Sequence, residues 1–106
     1  MLAIPLGKII VTTAGTPVAL TVPGSYTLPA SGCVRKVEVW ADPGMTGTAV
    51  YVKVGTSILA ALPKPASGFA AHWSTPETDG DVVNPTSFEI DAQTSGDGAF
   101  VTLWVE

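Results

Sequence analysis

Eight short runs of β-branched or alternating apolar residues, each closed by glycine, proline, aspartate or serine, divide this 106-residue chain from one end to the other. The runs cover residues 8–13, 17–22, 34–41, 48–54, 57–62, 68–73, 86–92 and 99–106. Between them lie TAGTP, VPGSYTLPASG, DPGMTG, VGTS, PKPASG, TPETDGD and TSGDG. These residue types set a turn backbone or tolerate positive φ, so the punctuation holds each run to strand length. No stretch keeps a helical period for three turns, and the nearest one, residues 58–62, is cut by Pro63-Lys64-Pro65. About eight strands without a helical crossover can bury their apolar faces in a two-layer sandwich or a closed barrel. The expectation is a single all-β domain, a two-layer antiparallel sandwich with jelly-roll or Greek-key connections.

Alternation assigns faces within the clearest runs. Val37, Val39 and Ala41 should face a core while Glu38, Trp40 and Asp42 face out. Val50, Val52 and Val54 should oppose Tyr51 and Lys53, and Phe88 and Ile90 should oppose Glu89 and Asp91. The last run differs, because Val101, Leu103 and Val105 are apolar on one side and Phe100 and Trp104 on the other. A strand apolar on both faces lies between two layers or covers a contact surface.

No interior stretch has the composition of a linker, so residues 8–106 are expected to form one sandwich. Residues 1–7 place Leu2, Ile4 and Leu6 in alternation around Pro5. Proline makes this a poor interior strand and a good edge segment or arm. It would either order against a neighbouring subunit by strand addition or cover the end of its own sandwich. Pro5, Gly7 and Lys8 also break the opening apolar run, so no secretory leader is expected, and no segment has the roughly 18 uninterrupted apolar residues of a membrane span.

Charged residues make up only 13% of the chain against about 25% on average, and net charge is −4. All five bases precede residue 65, with Glu38 and Asp42 the only acids before residue 77; the remaining seven acids follow with no base among them. Pairing between strands of the two parts would cancel this asymmetry in space. An acidic chain of this kind is not expected to bind nucleic acid, whose phosphates demand a basic surface. Cys33 is alone, which excludes an intramolecular disulfide and a cysteine metal cluster and fits assembly in a reducing cytoplasm.

Catalytic patterns are missing. His72 is the only histidine, and AAHW offers neither a nucleophile turn nor a partner, so it reads as a partly exposed strand residue. Asp42, Asp79, Asp81 and Asp97 lie near glycines, but they match no calcium loop and are ordinary turn residues in such positions. GTPVAL and GMTGTA lack the lysine and helix of a phosphate loop. No enzymatic activity, cofactor, metal or small-molecule substrate is expected. Trp40, Tyr51 and Trp104 fall on outward registers, as does Phe100. Aromatic residues there serve protein contact, sugar stacking or packing beneath loops, with protein contact preferred over sugar.

The segments TTAGTPVAL (12–20), VRKVEVWA (34–41), PGMTGTAVYVKVG (43–55) and IDAQTSGDGAFVTLWVE (90–106) together resemble the small β-sandwich virion proteins of tailed bacteriophages, especially head decoration, or cement, proteins. In those proteins a turn such as Asn-Thr-Gly leads into a strand such as Val-Tyr-Val-Gly. Here Met45 stands in place of the Asn, and Lys53-Val54 lengthens the strand before Gly55. The resemblance implies a structural protein made in the host bacterial cytoplasm and bound to the outer surface of the capsid. As a homotrimer it would tie neighbouring major capsid subunits together. Leu2, Ile4, Leu6, Trp40, Tyr51, Phe100 and Trp104 are the expected interface residues. A neck, tail or fibre-base component, or a carbohydrate-binding sandwich module, are the alternatives.

Overall fold

In a computed structural model, residues 2–21, 34–66, 71–75 and 87–105 are described. They form eight strands: β1 Leu2–Ile10, β2 Val18–Ala19, β3 Val34–Ala41, β4 Ala49–Val54, β5 Ser57–Pro63, β6 His72–Ser74, β7 Glu89–Ala92 and β8 Gly98–Val105. Two four-stranded antiparallel sheets result, in the orders β1-β8-β3-β6 (sheet A) and β2-β7-β4-β5 (sheet B). The pairs β1·β8, β2·β7, β3·β6 and β4·β5 are nested, as if the chain were one long hairpin. Rolling that hairpin brings β8 against β3 and β7 against β4, which is the jelly-roll arrangement.

The core lies between the sheets. Ile4, Val37, Val39, Val101 and Leu103 of sheet A face Val50, Val52, Leu62 and Ile90 of sheet B, and Val11, Leu20 and Met45 complete it from the connections. Burying each such side chain contributes about 1.5–3 kcal/mol, so this cluster supplies most of the drive to fold. The alternation expected of β3 and β8 holds along Val37, Val39, Val101 and Leu103.

Several expectations need correction. The first strand begins at Leu2 rather than at residue 8, and residues 2–7 pair with β8 in the same sheet as far as Ile10. Pro5 is accommodated because β1 is an edge strand, where a missing N–H breaks no interior ladder. Leu6 has no partner on β8, and Gly7 follows it with φ +72°, so a bulge sits on this edge. Val54, expected inside, is exposed at the end of β4. Asp42 and Asp91, expected outside, are buried, because loops cover them and donate to them. The turn joining β4 to β5 has φ +59° at Gly55, as the first central residue of a two-residue hairpin turn of type II′ requires.

Candidate functional site

The outer face of sheet A carries one row that crosses all four strands. Lys8 of β1 stands opposite Phe100 of β8, Phe100 opposite Trp40 of β3, and Trp40 opposite His72 of β6. With strands about 4.8 Å apart the row spans about 14 Å. Phe100 is 43% and Trp40 39% exposed, a large apolar area for two adjacent residues on a sheet. Ile10, two residues beyond Lys8 on β1, is also exposed. The Trp40 and His72 rings lie 4.1 Å apart at 36°, so His72 braces the indole from the β6 side.

Polar groups frame this row. Lys8 Nζ lies 2.7 Å from Asp42 Oδ2. In the next row Glu38 holds Lys36 Nζ at 3.1 Å and His72 Nε2 at 3.4 Å. Burial pushes the Glu38 carboxyl up, but the Lys36 ammonium and His72 outweigh it and keep it below the usual carboxylate range. The buried Trp104 indole N–H adds to that field without reaching hydrogen-bond geometry, and it has no other partner. The charges of the face are thus compensated locally, and the aromatic row is its uncompensated feature.

The other expected interface residues are distributed differently. Ile4 is fully buried in the core, because its inward register on β1 places it opposite Leu103. Leu6 is half-buried and packs against the core. Tyr51 and Trp104 are half-buried, Tyr51 on sheet B opposite Asp91 and Ala61, Trp104 on sheet A opposite Ala3 and Lys36. For Leu2 the structure describes only the backbone pairing with Val105. Among the six of these residues whose side chains are described, Trp40 and Phe100 alone form one exposed apolar surface.

Sequence reasoning missed a second apolar site. At the β4–β5 hairpin, Ile58 is 57% and Leu59 48% exposed, next to exposed Val54. The signal was present in the consecutive apolar residues of SILAAL, but alternation cannot assign faces there. Ala60 pairs with Val52 and Ile58 with Lys53, so Leu59 is an extra residue that breaks the parity of the strand.

The carboxylates at one end of the sandwich serve the fold. Asp97 accepts bonds from the Thr46 N–H at 2.8 Å, the Thr46 hydroxyl at 3.1 Å and the Gly47 N–H at 2.7 Å. Asp42 accepts the Gly44 N–H at 2.9 Å besides Lys8. Asp91 accepts the Gly15 N–H at 3.0 Å and lies 3.6 Å from Lys53 Nζ, a pair that joins the basic and acidic parts of the chain. Among the described residues no three His, Cys, Asp or Glu side chains converge as a metal site requires. Asp79 and Asp81 lie outside the described residues, as does Cys33. No family model matches the chain, and neither does any curated protein or solved structure.

Proposed function

We propose that this chain is a structural protein of a tailed-phage virion, a decoration protein that binds the outside of the head and ties major capsid subunits together without catalysis. The observation that supports this reading is the exposed row Phe100–Trp40 on a stiff four-stranded sheet, with the surrounding charges already paired. Aromatic side chains with little conformational freedom are efficient anchors at the centre of a protein interface. A rigid plate that presents them needs no active site to be useful to a shell. The sequence resemblance to head decoration proteins points the same way. On the head the protein acts as a homotrimer, so that each weak contact is repeated by symmetry.

Adding purified protein to heads that lack it, then sedimenting them, tests the reading. Wild-type protein should co-sediment, and Trp40→Ser with Phe100→Ser should lower binding at least tenfold while leaving the thermal unfolding curve in place. A label confined to neck or tail in imaged virions would move the protein to those structures. Because an exposed indole also stacks on sugar rings, the second reading is a carbohydrate-binding module, favoured if glycan binding is found and is lost in Trp40→Ser.

A further inference from the structure

His72, the one histidine of the chain, sits at the β6 end of the Trp40–Phe100 row. Its position is set from several sides. The Ala41 N–H donates to the Ala71 carbonyl at 2.9 Å; Thr75 donates its N–H to the Val37 carbonyl at 3.0 Å, and its hydroxyl accepts the Val37 N–H at 3.0 Å. The backbone on both sides of His72 is thereby tied to β3. Its ring lies 4.1 Å from that of Trp40, and its Nε2 lies 3.4 Å from Glu38 Oε2. The other oxygen of that carboxylate is held by Lys36 Nζ at 3.1 Å. Strand β8 adds only Phe100, Thr102 and Trp104 to this side of the sheet, and β5, which lies beside β6, has no titratable side chain between Ser57 and Pro63. Among the described residues, the charged groups placed against His72 are therefore Glu38 and, through it, Lys36.

These charges balance only while the imidazole is neutral. Lys36 and Glu38 cancel, as do Lys8 and Asp42 at the other end of the row, whereas an imidazolium leaves one carboxylate between two cations. Histidine ordinarily changes charge between pH 5 and 8, where carboxylates are already ionised. Glu38 is held below the ordinary range, so it stays charged throughout that window. We infer that His72 makes the Trp40–Phe100 face respond to pH, docking when the imidazole is neutral and releasing when it is protonated. A positive charge beside the indole must be stripped of water when the face is covered, a cost that neutral imidazole escapes. The imidazolium also attracts the electron-rich face of Trp40, which ties protonation to a change at the indole itself. The inference rests on the docking role proposed above; its first step is measured on free protein, so the two fail separately.

Two measurements test it. In the free protein, nuclear magnetic resonance follows the His72 ring protons and the Trp40 indole N–H, identified with Trp40→Phe, from pH 5 to 8. The expected result is one curve shared by both, with the Trp40 movement absent in His72→Gln, or in His72→Asn if the glutamine disturbs the fold. Co-sedimentation with heads is then compared at pH 7.5 and 5.5. Wild-type binding should weaken about fivefold on the acid side, while His72→Gln should bind alike at both values. The variant also accounts for any response of the heads themselves. A Trp40 resonance that stays fixed as His72 titrates would overturn the inference. So would binding that holds or strengthens in acid, or a fall of the same size in His72→Gln. Heads that take up no wild-type protein at either pH would overturn the docking role, and the release built on it, whatever the resonances show.

Discussion

Asp97 joins parts of the chain that are about fifty residues apart, through three donors on Thr46 and Gly47. Asp97→Asn would turn an amide N–H toward one of those donors, and a stability loss of about 2 kcal/mol is expected from urea denaturation. For Asp97 burial raises the carboxyl, but the Thr46 and Gly47 donors outweigh it and hold it below the ordinary aspartate range. Asp42 is held down first by Lys8 and then by the Gly44 N–H, against repulsion from Asp97. Both groups bind protons less tightly folded than unfolded. Their contribution is therefore complete above the unfolded aspartate value of about 3.9 and is lost as pH falls through the lower folded values. Glu38, also held low, adds to this, so denaturation midpoints should be level from pH 7 to about 5 and fall below that, with a shallower fall in Asp97→Asn. A Cβ on Gly98 would overlap the Ile9 carbonyl oxygen, and Gly98→Ala should cost about 3 kcal/mol by the same measurement. At this scale the sequence reveals Val39 and Val101 as core, because alternation reports hydrophobicity. It conceals Asp91 and Asp97, which take donors from remote loops, and Asp42, which takes one from its own turn and pairs with Lys8 on β1.

Strand β8 is the element on which sheet A depends, since it lies between β1 and β3 and its Leu103 is fully buried. Leu103→Ala should destabilise the protein by about 2–5 kcal/mol, whereas Leu59→Ser at the exposed hairpin should change the unfolding midpoint little. Strand β1 supplies Ile4 to the same core and covers one side of β8. Removing residues 1–7 should therefore lower stability sharply in a denaturation experiment. A truncated chain with wild-type stability would contradict the pairing seen here. Six of the expected runs were legible because turn residues bound them tightly, and their observed ends differ by only a few residues. The extent of β1 was not, because Pro5 and Gly7 look like breakers until the strand is known to be an edge. The bulge at Leu59 hid the exposed hairpin for a related reason: one extra residue reverses every face that follows it.

The molecule as a whole is a sandwich whose layers could be read from strand count and the absence of helices, but whose strand order could not. Nesting of β1·β8 around β4·β5 is a long-range property, and local alternation carries no record of it. The candidate surface was legible in part for the same reason. Trp40 and Phe100 could each be placed outward, yet only the register between β3 and β8 makes them neighbours and separates them from Ile4 and Tyr51. On this account the molecule acts through surfaces, as a plate within a shell. The most direct test is a reconstruction of phage heads, previously free of this protein, after incubation with it. The account predicts added density on the outer capsid surface, over junctions between capsid subunits, with the Trp40–Phe100 face in contact. Heads left bare at saturating protein, or density confined to the neck or tail, would contradict it.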